Sequence, residues 1–241
     1  TFMLFSVFTV GITYFKMQKT QNIRLNGGEY DAILYGLTKE QEAVCEKNPD
    51  IKETGAVVVC GYVEETEKDK TPNVGLIWAD DSYWNQIKRP AVKWVKGKYP
   101  TKENEVMASV DALKECGLEN FEIGDSFQMK YADKNGSYIK EFRISGMWEG
   151  YGDTDTFYMS KAYFEQSGYE LYDVRSTRYY LDFEKKYIPK KEQDVFLASM
   201  ELEKQQNLFF LSNYSNALEI LMGMIGLVLI TCFSAYLLIY N

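Results

Sequence analysis

The stretch ILMGMIGLVLITCFSAYLLIY, residues 220–240, holds no charged side chain. An apolar run of about 18 residues or more reads as a membrane-spanning helix, because about 20 residues at 1.5 Å each cover the roughly 30 Å hydrocarbon core. One Asp or Lys at its centre would cost about 2.5–3.5 kcal/mol on insertion scales. Glu219 marks one interface, and Tyr236 and Tyr240 suit the aromatic belt at the other. The competing reading is a buried core helix of a soluble domain, which would normally show a polar stripe. At the other end of the chain, TFMLFSVFTVGITYF (residues 1–15) is also free of charge, and Lys16 and Lys19 follow it as interfacial anchors. No basic region precedes it and no A-x-A cleavage pattern follows, so it does not read as a signal peptide. The expectation is a membrane helix over residues 1–16, whose beginning lies before Thr1, and a second over 216–241.

All 27 Lys and Arg and all 35 Asp and Glu lie between those runs, giving the middle of the chain a net charge of −8. About 200 residues suffice for an independent core. Loops on the cytoplasmic side of a membrane are usually rich in Lys and Arg, so an acidic one points outward. The same acidity excludes nucleic acid as a partner, since phosphate backbones require a basic face.

The chain contains no His. That removes Ser-His-Asp and Cys-His nucleophilic arrangements and the common zinc patterns. There is no G-x-x-x-x-G-K-[ST] run to cradle a nucleotide phosphate, and no G-x-G-x-x-G after a strand. Of four Cys, Cys232 lies in the C-terminal run, while Cys45, Cys60 and Cys116 are scattered without a CxxC pair. Buried free thiols are the simpler reading; a Cys45–Cys60 disulfide is the one pairing worth testing.

Along the middle, YDAILY (30–35) reads as a strand, and Thr38-Lys39-Glu40-Gln41 is a capping box opening a helix that ends by Asn48-Pro49. AVVVCGYV (56–63) and VGLIWA (74–79) are strands. Glu105–Ala108 is a short strand, Ser109 caps a helix that stops at Gly117, and Gly124-Asp125 turns into the strand 127–131. Asn135-Gly136 is the strongest hairpin signal in the chain and leads into Tyr138, Phe142 and Ile144. Strand 156–159, a helix capped by Ser160, strand 176–183 and a helix from about Lys190 complete the domain. That last helix could run on through Phe209 and Phe210 as a stalk into the membrane, unless Asn213 and Ser215 break it. The pattern is α+β, with a mostly β unit inserted at about residues 85–149.

Asp80-Asp81 and Asp153-x-Asp155 offer oxygen ligands for a hard cation, but they lack the ordered spacing of a calcium loop, and a solvated loop explains them as well. Glu103 and Glu105 make a poor catalytic pair. Trp78, Trp84, Trp94 and Trp148 could form a binding surface or simply belong to the core. Asn135 and Asn213 sit in glycosylation-type triplets. Gly223 and Gly226 are three apart rather than four, so they are not a GxxxG motif, although small residues permit close helix packing. No residue is assigned a catalytic, cofactor-binding or metal-ligating role.

The run Gly97-Lys98-Tyr99-Pro100, Asn104-Glu105-Val106, Ala112-Leu113, Gly117 and Ile123-Gly124-Asp125 resembles the MacB/FtsX class of ABC transporter permeases. Phe142-Arg143-Ile144-Ser145-Gly146 resembles that family's F-x-I-x-G strand. Residues 30–41 resemble its first strand and helix, and Leu238-Ile239-Tyr240-Asn241 the end of its second membrane helix. The chain's style is firmicute-like. The resemblance implies a multi-pass protein of the bacterial cytoplasmic membrane with its large domain outside. It divides that domain into an α+β porter-like part (17–84 and 150–215) and an inserted β-rich Sabre-like part (85–149). It implies a non-catalytic permease subunit moved by a cytoplasmic ABC ATPase that binds the ATP and Mg, beside a second permease copy or homologous half and membrane lipid. The substrate would be a peptide, antibiotic, lipid-linked molecule or lipoprotein. The alternative is the ligand-binding domain of a two-helix, receptor-kinase-like sensor, which shares the two-span layout.

Overall fold

The computed structural model describes residues 2–65, 72–152, 154–173, 175–185, 188–200, 209–210 and 215–240, apart from the side chains of 2–8, 15, 190, 209–210, 215–222, 224 and 237–240. Among the described residues six α-helices, α1 (Phe2–Asn26), α2 (Lys39–Lys47), α3 (Val110–Glu115), α4 (Lys161–Ser167), α5 (Lys190–Ser199) and α6 (Ser215–Tyr240), accompany ten strands. The strands are β1 (Ala32–Tyr35), β2 (Ile51–Val63), β3 (Gly75–Ala79), β4 (Val92–Gly97), β5 (Glu105–Ser109), β6 (Ser126–Asp133), β7 (Gly136–Gly150), β8 (Thr156–Met159), β9 (Thr177–Phe183) and β10 (Phe209–Phe210).

All ten strands join one mixed sheet in the order β10-β1-β9-β2-β3-β8-β5-β7-β4, and β6 bridges β7 back to β2. The bridge closes six strands, β2-β3-β8-β5-β7-β6, into a ring. β2 belongs to both parts of the sheet. Its first residues pair antiparallel with β9 up to Val58, and its last two, Tyr62 and Val63, pair with β6. At the handover the β2–β3 register shifts between Val59 and Gly61. Gly61 has φ +152, and a Cβ there would stand 2.5 Å from the Ala132 carbonyl oxygen, so β6 can close the ring only against a glycine.

Side chains alternate across the sheet, as the period of a strand requires. One face sends Val58, Cys60, Leu76, Trp78, Val106, Ala108, Phe142, Ile144, Phe157 and Met159 into the ring, where α3 and α4 add Leu113, Tyr163 and Phe164. Beyond β2 the same face carries Leu34, Tyr179, Leu181 and Phe183 under α2 and α5, with Cys45, Phe196 and Met200. The opposite face holds Val57, Met107, Trp148, Tyr158 and Tyr180 beneath a π-helical turn, Tyr83–Lys88.

The capping box at Thr38 forms as expected: Gln41 N–H donates to Thr38 Oγ1, and Thr38 N–H donates to Gln41 Oε1. Ser109 and Ser160 cap α3 and α4 through their hydroxyls. The Asn135-Gly136 turn joins β6 to β7, with Asp133 Oδ1 accepting from both turn amides.

Two expectations change. The first helix does not stop at Lys16 but continues to Asn26, because residues 17–26 are mostly good helix formers and contain no Gly or Pro. The C-terminal stalk is not one continuous helix: α5 ends at Ser199, and Phe209–Phe210 pairs antiparallel with Ile33 and Ala32 on the edge of β1. Phe196 and Met200 have helical spacing because they face the core. The simpler reading of the cysteines holds: Cys45 and Cys60 are free, buried thiols in different cores, not a disulfide. The Cys45 thiol instead meets Met200 Sδ at 3.9 Å. Burial pushes Cys45, Cys60 and Cys116 up to about 12.

The π-helical turn lies directly on β2 at Gly55, where a Cβ would come within 2.8 Å of Tyr83 backbone atoms. Backbone cannot yield as a side chain can. Gly55→Ala is expected to destabilise the domain by about 1–3 kcal/mol, while Gly75→Ala, which meets only ordinary contacts, is neutral or slightly stabilising. Urea unfolding of the two variants measures the difference.

Candidate functional site

The residues with unusual chemistry gather where α1 meets the domain. A helix of 25 residues is about 37 Å long at 1.5 Å per residue. It ends in a Schellman motif: Gly27 has φ +71, and Gly28 N–H donates to Ile23 O at 3.1 Å. The chain then turns directly onto the π-helical turn, with Glu29 N–H donating to Ile87 O at 2.8 Å. Arg24 stacks over the Tyr151 ring, 4.1 Å from its centroid. Tyr30 donates to Asn26 O and packs edge-on against Tyr180 at 4.9 Å.

Asp80 positions the surface that receives α1. Its Oδ1 accepts from Tyr83 N–H (2.6 Å), and its Oδ2 accepts from Ala56 N–H (2.7 Å). Ser82 adds a hydrogen bond to Thr54 O. The turn is π-helical because Arg89 N–H reaches Trp84 O, five residues back. Trp84 thereby packs against Tyr99, Trp148 and Tyr158, with centroids 5.0–5.8 Å apart.

Two cavities flank the seam. The first, about 300 Å³, lies between α1 and the start of the sheet and is lined by Lys19, Glu29, Asp31, Lys52 and Asp182 among others. Lys19 pairs with Glu29, and Lys52 with Asp182 at 2.8 Å. The pair holds the Lys52 ammonium up, yet Asp182 is also pushed up, because burial outweighs the pairing. Asp31 is pushed up to about 6, chiefly by burial, although its Oδ2 accepts from Phe183 N–H. The second cavity, about 240 Å³, lies under the end of α1 and is lined by Gly27, Lys88, Tyr158, Arg178 and Tyr180 among others. Lys88 is 8% exposed, and burial alone lowers it to about 8.

The residues singled out in the sequence fall mostly elsewhere. Asp80 does structural work, Asp81 is exposed, and Asp153 lies outside the described residues. Among the described residues no three acidic or sulfur ligands come together around one point. Glu105 accepts from Thr101 and Lys102 amides, and Glu103 pairs with Lys140, so they do not act together. Trp78, Trp84 and Trp148 are core residues, and Trp94 donates to Glu149 at 2.6 Å. No atom stands within 4 Å of a Cβ built on Gly223 or Gly226, so neither marks a close helix contact among the described residues. Asn213 lies outside the described residues. Sequence reasoning missed Lys88 and Arg178, because nothing local distinguishes a buried lysine from an exposed one.

Among the described residues no helix is long and apolar enough to cross a membrane. No protein-family model matches the sequence, and no curated protein does. Among solved structures, the periplasmic region of MacB from Actinobacillus actinomycetemcomitans is similar, with a TM-score of 0.52 and 11% identity over 83% of this chain and 95% of that one. A domain named as that of a permease protein from Porphyromonas gingivalis gives a TM-score of 0.41 at 11% identity, over 76% of this chain and 88% of that one. The first similarity shows the fold: a mixed α/β domain like the periplasmic region of MacB.

Asp31 supplies a test of the seam. Its proton is held more tightly folded than unfolded, from an ordinary value of 3.8 to about 6. The stabilisation is therefore complete below pH ~4 and is lost as pH rises through about 6, amounting to roughly 3 kcal/mol at most. Asp31→Asn keeps an oxygen for Phe183 N–H but no charge. Urea unfolding at pH 4.5 and 7.5 is expected to show a smaller loss of stability in the variant than in the parent.

Proposed function

We propose that this chain is the extracytoplasmic domain, with its flanking membrane helices, of a MacB/FtsX-type ABC transporter permease. The observation that carries this reading is the shared fold with the MacB periplasmic region, which spans nearly all of that domain. The sheet order supports the division into two parts. Strands from 17–84 and 150–215 occupy one continuous run, β10 to β8, and those from 85–149 follow at the other end, with β6 returning to β2. The membrane reading rests on the uncharged runs and on the side chains that α1 and α6 present outward. Val10, Ile12, Leu227, Ile230 and Phe233 are each more than half exposed, large apolar side chains that suit a lipid surface. The two helices lie side by side.

In this reading the chain catalyses nothing. A partner ATPase binds ATP and Mg in the cytoplasm, and its closure displaces the membrane helices. α1 is a rod without Gly or Pro between Lys16 and Asn26, and it is capped, stacked and hydrogen-bonded onto the π-helical turn. It would carry displacement into the aromatic face of the sheet. A second permease copy completes the transporter, and a peptide, antibiotic or lipid-linked molecule is the substrate.

The first test is purification of the full-length protein from its native membrane in mild detergent. A stoichiometric P-loop ATPase is expected to accompany it. Recovery with a kinase instead would overturn the permease and favour a sensor. A second test breaks the rod. Two glycines inserted after Gln21, each costing about 1 kcal/mol of helix, should leave the ATPase bound and the domain folded, and abolish ATP-dependent transport. Intact transport would show that α1 carries no motion.

A further inference from the structure

Among the described residues the cavity under the end of α1 is lined by two cations and no carboxylate, in a protein whose net charge is −8. Lys88 and Arg178 both line it, and neither forms an ion pair with a carboxylate among the described residues. Asp111, which accepts from Thr154 on the rim, pairs with Lys114 instead. Lys88 is buried, and its ammonium lies 5.0 Å from the centroid of the Trp148 ring. A Cβ on Gly27 would stand 3.3 Å from that ammonium, so it sits against the C-terminal end of α1. The helix end offers about half a negative charge. Lys88 is thus a buried cation with no carboxylate partner among the described residues, which is costly to keep, while Arg178 lines the same cavity from an exposed position.

The donors suit an oxyanion. Arg178 interacts with the Tyr180 side chain, Tyr180 with Tyr83, and Tyr83 with Tyr158, and all four line the same cavity. Guanidinium and ammonium recognise such a group in different ways, the first as a planar fork and the second as a point charge. A single carboxylate would neutralise only one of the two cations, whereas a phosphate monoester carries about −1.5 to −2 near neutral pH. About 240 Å³ falls below the ~300–1,000 Å³ of pockets that enclose whole drug-sized ligands. The space suits a headgroup rather than a nucleotide.

We propose that this cavity binds a phosphate monoester group, with Lys88 and Arg178 carrying its charge and the tyrosine hydroxyls orienting its oxygens. The group belongs either to a small soluble molecule or to the headgroup of a lipid. The inference is independent of the transporter reading, since it uses only side chains of this chain.

The test is thermal unfolding of the full chain in mild detergent, titrated with inorganic phosphate and, at equal ionic strength, with acetate. Phosphate is expected to raise Tm saturably and acetate is not. Lys88→Met and Arg178→Gln should each weaken the apparent phosphate affinity by about tenfold or more, while Lys161→Gln, at an exposed position, changes nothing. Lys88→Met removes a buried unpaired charge in favour of an apolar chain of similar shape, so it is expected to fold. Should it fail to fold, Arg178→Gln carries the comparison. Nanodiscs with and without phosphatidic acid separate the sources: stabilisation by the lipid that Lys88→Met abolishes identifies a headgroup, and a response to free phosphate alone identifies a soluble ligand. Equal responses to phosphate and acetate, or responses unchanged in both variants, overturn the proposal.

Discussion

The architecture depends on how one strand shares its edge. β2 keeps β3 along one side while its other side passes from β9 to β6 within a few residues. Every buried amide and carbonyl needs a partner, so the handover cannot leave a gap. The irregularity at Val59–Gly61 and the missing side chain of Gly61 make it possible. Without it the sheet would remain open, and the ring that encloses Phe142, Ile144 and Phe157 would lose its closing strand.

A second constraint follows from the first. Because β2 continues past the ring into β9 and β1, the opposite face of the sheet is one long aromatic surface. Asp80 fixes the π-helical turn onto that surface by holding two backbone amides with one carboxylate. The turn in turn presents Ile87 O and Lys88 to the end of α1. The seam is therefore built from core outward: strand, carboxylate, turn, helix. The last turn of α1 is tied to that seam, with Tyr30 donating to Asn26 O and Glu29 N–H to Ile87 O.

Much of the secondary structure was legible locally. The capping box at Thr38, the serine caps at Ser109 and Ser160, and the Asn135-Gly136 turn are short-range arrangements whose partners lie within four residues, so local chemistry dictates them. The β-branched runs of β2 and β3 declared themselves for the same reason. The π-helical turn, β4 and β10 did not. Phe209–Phe210 becomes a strand only because β1 offers it an unpaired edge, more than 170 residues away in the sequence. The five-residue reach of the π-helical turn depends on Asp80 and on Gly55 of a different strand.

The same division separates the kinds of functional signal. By itself the sequence determined the acidic middle, the two uncharged ends, the absence of histidine chemistry and most of the helices and strands, since these follow from composition and from neighbours along the chain. Only the tertiary structure decided that β2 closes a ring, that α1 runs unbroken onto the aromatic face, and that Lys88 and Arg178 share a cavity. Those outcomes turn on which backbone groups and charges are brought together once distant segments pack, and no window of sequence contains both partners.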